Sequence, residues 1–356
     1  MKPLLFSVLP RPPHPTRDGL AIRNYHLLAA LTGHFRVRAF SLLDPERAYG
    51  GGEMPRGVEA EWISQPPRRL RRAWAAAASL AGTEAYSERL YRSRGLSRGL
   101  AAAAAAEPPS WIVAHSYHVG PAALAAGSRV WIDFHNLDSE IWRRTGEGQD
   151  GGGAAWFARV QAPSVRRLEA DLARRAAGLS CVSRRDAGAL RALGAAAEPM
   201  VVANGVDLSR YRMRAEAPKD DVVFFVGDLS WPPNADAVRW LHERVWPELK
   251  RARPHARVEI LGRQAPADVL GFAAPDWTLL GEGDDTRPHW ARAAVAVVPL
   301  VAGGGTRLKI LEAAASGVPV VSTPIGAEGL EFAPETEFLL REDAAGFAAA
   351  VAGLLA

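Results

Sequence analysis

The sequence predicts an α/β protein of two doubly wound domains, over 1–195 and 200–356. Three observations carry that reading. The 356 residues are enough for two domains of ordinary size, each with its own core. The second half alternates short apolar runs with helical segments, the pattern of a parallel sheet covered on both faces. The N-terminus runs strand, loop, helix, an order that sets a helix start at a sheet end, where anions and acceptors bind.

Composition agrees. Apolar residues make up 48% and charged residues 23%, the balance of an ordinary globular chain. The one cysteine, Cys181, excludes a disulfide framework and a cysteine-based zinc site; in its strand-like run, GLSCVS, it reads as a small buried side chain. Met1 leads straight into a strand rather than a signal peptide, and no apolar run reaches the ~18 residues of a membrane-crossing helix. The cytoplasm is the compartment expected by default. Charge is uneven. Residues 1–199 carry 27 Lys and Arg against 18 Asp and Glu, a balance of +9, and residues 200–356 carry 16 against 21, a balance of −5. A basic first half fits an anionic acceptor or lipid surface, or simply an arginine-rich composition.

In chain order, Leu4 to Leu9 reads as the first strand and Leu20 to Leu31 as a helix. The loop between them, Pro10 to Gly19, has Arg17, Asp18 and Gly19 as its polar edge. Strands follow at Arg36 to Leu43 and Val58 to Ser64, with GGGEMPRG (Gly50 to Gly57) as a flexible connector. Long helices are expected over 68–81 and 84–106, where alanine tracts favour helix. The first opens with Arg68, Arg69, Arg71 and Arg72, with Trp74 close by. It reads as a solvated face or as a surface for anionic lipid. Strands at Trp111 to Ser116 and Arg129 to His135 end near histidines, and strand ends are where open α/β sheets do their chemistry. His115, His118 and His135 lack a good metal-ligand spacing, so no metal site is expected. GEGQDGGG (146–153) is a flexible break. A helix over 154–177, a strand from Gly178 to Ser183 and a helix from Arg184 to Leu193 lead to a hinge at Gly194 to Pro199. After the Asn204-Gly205 turn, strands are expected at 221–227, 257–262, 277–281, 295–300 and 318–322.

The most informative stretch is Val295 to Gly329. An apolar run is followed by Gly303, Gly304 and Gly305. Thr306 reads as an N-cap, Arg307 to Ala315 as a helix, and Gly317 and Pro319 end it before the strand Val320 to Ser322. A glycine-rich turn at a helix mouth offers unpaired N–H groups and the positive end of the helix dipole, which suit phosphate. From that cap, Leu308, Leu311 and Ala315 are expected to face the sheet. Lys309, Glu312 and Ser316 share another face. The cation suits a diphosphate and the carboxylate a vicinal diol such as ribose, which together make a nucleotide.

This stretch resembles the donor site of glycosyltransferase family 4, whose members have the GT-B fold, two Rossmann-like domains facing across a cleft. Glu312-Ala313, Gly317, Pro319 and Val320 match the second half of the family motif. The motif's first glutamate, a donor-sugar contact in the family, falls on Gly304. The GGGTRLKILEA form is similar to a bacterial sugar transferase branch in which backbone amides and the Arg307/Lys309 pair take up that work. In the family, the first strand-to-helix loop of the second domain brings an Arg and a Lys to the diphosphate. Here that loop holds Asp228 and Asn234, which leaves Arg307, Lys309 and Arg263 as the cations. Gly281 ends the strand that the family sets beside the nucleobase. In the first domain the resemblance implies a histidine near the sugar's anomeric carbon, His115 with His118 as second choice. It also implies an acceptor side formed by Arg17, Asp18, Gly19, His135 and Asn136. Family members usually continue with a further helix where this sequence stops, so a shortened C-terminus is expected.

The reaction so implied is transfer of a sugar, with retention, from a nucleoside diphosphate to an acceptor hydroxyl on a glycan, a lipid-linked sugar or a small molecule. Its catalytic residues would be His115, Arg307 and Lys309. Its donor-binding residues would be Gly303, Gly304, Gly305, Thr306, Glu312, Arg263 and Gly281. No Asp-x-Asp pair occurs, so no metal and no cofactor are expected and the nucleotide-sugar is a co-substrate. Two other classes fit the residues. One is a non-catalytic subunit that binds nucleotide-sugar or glycan, which Gly304 favours. The other is an epimerase, or a hydrolase using Asp18 and Asp133. Nucleic acid is not expected as a partner, because the glycine-rich site lies in the acidic half. The expected location is cytoplasmic, with peripheral contact to an anionic membrane at its inner face.

Overall fold

The computed structural model describes residues 2–45, 53–127, 129–147, 152–216, 218, 220–283, 285–304 and 306–356. They divide into two compact units, Met1–Ala203 and Asn204–Ala356.

The first unit runs β1 (Leu4–Leu9), α1 (Gly19–Thr32), β2 (Arg36–Leu43), β3 (Val58–Ser64), α2 (Arg68–Ala81), α3 (Tyr86–Tyr91), α4 (Arg94–Ala106) and β4 (Trp111–Ala114). It continues with α5 (Gly120–Ala126), β5 (Val130–Phe134), α6 (Asp138–Glu147), α7 (Gly153–Arg175), β6 (Gly178–Cys181), α8 (Arg184–Ala192) and β7 (Met200–Val201). The strands form one parallel sheet in the order β3-β2-β1-β4-β5-β6-β7. All six residues of β1, LLFSVL, are buried, as expected of a strand covered on both faces. The winding reverses between β1 and β4. Their carboxyl ends are therefore the switch point where such sheets bind ligands.

The second unit runs β8 (Val222–Val226), α9 (Pro232–Trp240), α10 (Trp246–Ala252), β9 (Arg257–Leu261), α11 (Ala267–Leu270) and β10 (Trp277–Gly281). It ends with α12 (Arg287–Arg292), β11 (Val295–Val298), α13 (Leu308–Ala315), β12 (Val320–Ser322), β13 (Leu339–Leu340) and α14 (Ala344–Leu354). Its parallel sheet has the order β10-β9-β8-β11-β12-β13, with the switch point at β8 and β11. Phe224, Phe225, Trp277, Trp290 and the valines of β11 fill its core.

Three expectations change. The helix expected over 84–106 is two helices, because Ser93 Oγ accepts from Leu96 N at 3.2 Å and caps a new one. The expected hinge at 194–199 lies inside the first unit, since β7 pairs with β6 as its edge strand. The division falls later, after Ala203. Residues 50–52 and 148–151 of the two glycine-rich connectors, and Gly305, lie outside the described residues. Among the described residues no helix is long and apolar enough to cross a membrane.

Candidate functional site

The loop from β11 into α13 leaves the switch point of the second sheet. Gly303 takes φ +123°, and a Cβ there would lie 3.0 Å from Arg307 Nη2 and 3.1 Å from the Trp231 ring. The positive φ is what calls for glycine, and the two contacts leave little room for a side chain. The bend lets the Arg307 guanidinium fold back, with Nη1 donating to Gly304 O and Nη2 to Ile325 O at 3.5 Å. Thr306 is not the N-cap. Arg307 holds that position and makes no side-chain capping bond, while Thr306 Oγ1 accepts from Asn204 Nδ2 at 2.6 Å. The opening N–H groups of α13 thus have no side-chain cap.

The face of α13 on the core is Ile310 and Ala313, not Leu308, Leu311 and Ala315. Six of the eight residues in LKILEAAA are apolar, so periodicity does not select a face. Lys309 and Glu312 flank the buried pair. Lys309 Nζ lies 4.2 Å from the Phe225 ring centroid and donates to Asn234 Oδ1 at 3.2 Å. Asn234 Nδ2 donates in turn to Asp228 O at 2.9 Å. Burial and then Arg307 push the Lys309 ammonium down to about 7, against the pull of Glu312. An arriving anion would restore the full charge.

Glu312 is 9% exposed. Its Oε2 accepts from Thr286 Oγ1 and from Trp290 Nε1, each at 3.1 Å, and Tyr211 OH lies 3.0 Å from Thr286 Oγ1. Burial raises the Glu312 pKa, and the bonds from Trp290, Thr286 and Tyr211 oppose that rise. Sequence reasoning missed Asn234, Thr286 and Trp290 as supports. They lie 75, 26 and 22 positions from the residues they hold, and no local pattern signals them.

Arg263 donates through Nε and Nη2 to Asp228 Oδ2 at 3.0 and 2.6 Å. Burial would raise the Asp228 pKa, but the bonds from Arg263 and Ser230 outweigh it and hold the carboxyl low. The third expected cation is therefore matched by a carboxylate. Gly281 ends β10 at φ +78°, and its carbonyl accepts from Gly262 N at 2.9 Å.

In the first unit, β5 places Asp133 in a closed buried network. Arg23 on α1 donates Nε and Nη2 to the two Asp133 oxygens at 2.8 Å each, and Nη1 to Val202 O at 2.8 Å. Ser180 Oγ donates to Asp133 Oδ1 at 2.6 Å, and His135 Nε2 lies 3.2 Å from Oδ2. Burial alone would raise the Asp133 pKa, but Arg23 and His135 hold it well below the carboxylate range. This network occupies Asp133 and leaves none of its oxygens for hydrolysis.

His115 is fully buried, with Nε2 3.2 Å from Ser7 Oγ. Burial pushes it down to about 4 and His135 to about 3, so both are neutral at pH 7. Direct contact of His115 with a sugar is at odds with that burial. His118 is more exposed than His115 and is held between Ser116 Oγ at 2.6 Å and Asp138 Oδ2 at 3.5 Å. Asn136 Nδ2 donates to Asp138 Oδ1. Asp18 is the N-cap of α1, accepting from Ala21 N at 3.1 Å, and pairs with Arg11 at 2.7 Å. Gly19 is the first residue of α1 and is exposed, and Arg17 lies partly exposed in the preceding loop.

The family description "Glycosyl transferase 4-like domain" matches residues 18–205, and "Glycosyl transferases group 1" matches residues 220–356. No curated protein sequence is a match. A sucrose-phosphate synthase from Thermosynechococcus elongatus aligns with a TM-score of 0.74 at 16% identity, over 100% of this chain and 90% of that one. HepE of Anabaena in complex with UDP-glucose aligns at 0.64 and 14%, over 98% and 88%. A UDP-forming α,α-trehalose-phosphate synthase from Burkholderia xenovorans aligns at 0.62 and 14%, over 100% and 91%. These likenesses establish the GT-B fold, two Rossmann-like α/β units with parallel sheets. The two family matches cover both units, and the chain belongs to the group 1, 4-like glycosyltransferases.

Proposed function

We propose that this chain is a retaining, metal-independent hexosyltransferase of the bacterial branch marked by GGGTRLKILEA. It moves a sugar from a nucleoside diphosphate to an acceptor hydroxyl on a glycan, a lipid-linked sugar or a small molecule. One observation carries the reading. Arg307 and Lys309 stand at the mouth of α13 and Glu312 about one turn further in, at the switch point of the second sheet. Glu312, with Oε2 already held, offers its other oxygen to the ribose diol. Arg307, Lys309 and the N–H groups of the glycine turn receive the charge that builds on the leaving diphosphate. Fixed donors of this kind are each worth about 3 kcal/mol in a transition state. Two cations stand where other enzymes use a metal, and no cofactor is needed. His118, rather than the buried His115, orients the sugar. The UDP and UDP-glucose complexes of HepE make uracil the first donor base to try.

Gly304, where the family carries a glutamate, favours a second reading as a binding subunit without turnover. The membrane assignment rests on α2, which turns Leu70, Trp74 and Leu80 outward beside Arg69 and Arg72 and fits peripheral contact with an anionic membrane. The experiment is nucleotide release from UDP-, GDP-, ADP- and dTDP-sugars with wild type and His118→Ala. Release that falls in the variant supports the enzyme. A melting point raised by nucleotide with no release from any donor supports the binding subunit.

A further inference from the structure

A small pocket lies in the first unit at the carboxyl ends of β1, β2 and β3. Arg11, Asp44, Gln65, Arg68 and Arg71 supply its polar lining. Its cavity volume is about 60 Å³, several times the ~10–15 Å³ that one water needs. That accepts a compact polar group such as a phosphate.

The chemistry of the lining is that of an anion site. Three guanidiniums stand against one carboxylate, Asp44, which is itself engaged by Arg71 Nη2 at 2.7 Å. Arg11 is paired with Asp18 at 2.7 Å. The 14-residue helix α2 begins at this pocket, and its N-cap, Pro67, makes no side-chain capping bond. The positive end of the helix dipole is added to the arginines. The second, independent observation is Gln65. It is 7% exposed, and its Nε2 has no hydrogen-bond partner among the described residues. Buried donors are nearly always paired, so an unpaired one at a pocket wall calls for a ligand oxygen. The arginines at the start of α2 thus divide. Arg68 and Arg71, three apart, line the pocket, while Arg69 and Arg72 are exposed.

We infer that this pocket binds a phosphate group carried by the acceptor, on a soluble sugar or at the head of a lipid-linked one. Only the word acceptor rests on the proposed function; phosphate binding at Gln65 stands without it.

The test is a thermal-shift titration of the full chain with inorganic phosphate, glucose 6-phosphate and glucose. It uses wild type, Gln65→Glu, Arg68→Ala and Lys309→Met. The last removes a cation of the other anion site. The expected result is a melting point raised by both phosphates but not by glucose, kept in Lys309→Met and weakened at least tenfold in Gln65→Glu and Arg68→Ala. Should Gln65→Glu fail to fold, Arg68→Ala carries the comparison. Sedimentation with phosphatidylglycerol vesicles, against phosphatidylcholine vesicles, separates the sources. Vesicle binding lost in Gln65→Glu assigns the phosphate to a lipid, and vesicle binding unchanged in that variant assigns it to a soluble sugar. No phosphate response in wild type, or one that vanishes in Lys309→Met and survives in Gln65→Glu and Arg68→Ala, overturns the inference. Failure of the donor reading looks different: UDP gives no shift while glucose 6-phosphate still does.

Discussion

The two units share one winding but treat the polar groups near their switch points in opposite ways. In the first, Arg23 and Asp133 satisfy each other in a buried bidentate pair, and the neighbouring imidazoles of His115 and His135 are held neutral. In the second, Lys309 is held by a phenyl ring and an amide, and Glu312 by an indole and a hydroxyl. A fully buried charge met by a bidentate counter-charge is finished within the fold. A charge oriented by neutral dipoles stays available to a ligand. The first arrangement suits stability, the second, under the proposed function, suits binding, and each can be broken separately.

The largest effect is expected from Asp133→Asn. It leaves the Arg23 guanidinium buried and unmatched, at a cost of about 3–5 kcal/mol. Urea unfolding should show the loss in the first unit only, with nucleotide binding by the second intact. Lys309→Met is expected to lower turnover about 100-fold while leaving the melting point nearly unchanged, as steady-state kinetics and calorimetry would read. An equal loss in both measurements would mean that Lys309 is structural.

Acid separates the units next. His115 is lowered from 6.5 to about 4 by burial, so the folded state resists a proton that the unfolded chain takes up. Its contribution is complete above about pH 6.5 and is lost as pH falls towards 4, on the order of 3 kcal/mol. Glu169, buried in the same unit and raised to about 8, acts in the opposite sense, its contribution being lost as pH rises from 4.5 through 8. The measurement is therefore a difference. Between pH 6.5 and 4.5, His115→Gln should lose less stability than wild type. The smallest effect is expected from Trp290→Phe, which removes one donor from Glu312. Nucleotide affinity should fall about fivefold, matching a single hydrogen bond of about 1 kcal/mol, by isothermal titration.

Local chemistry made much of this legible in the sequence. The strands over 4–9, 36–43 and 58–64 are where their apolar runs place them, and the glycine turn into α13 follows from composition. What was hidden depends on partners far along the chain. Arg23 and Asp133 are 110 positions apart, and Asn204 and Thr306 are 102 apart. The second of these pairs draws Thr306 off the helix end, where its residue type alone would make it a cap. The fate of strand-end histidines was equally hidden, because His115 and His118 differ in burial and not in local pattern. The phosphate pocket needs three strand ends and one helix start together, and only the sheet order supplies them.

The central claim is that the second unit holds a nucleoside diphosphate through Arg307, Lys309 and Glu312. The most direct test is a thermal-shift panel with UDP, GDP, ADP, dTDP and CMP on wild type and Glu312→Ala. The account predicts that one diphosphate raises the wild-type melting point with the logarithm of its concentration and that Glu312→Ala loses the rise. A panel in which no nucleotide stabilises the wild type, or in which Glu312→Ala responds as the wild type does, would contradict it.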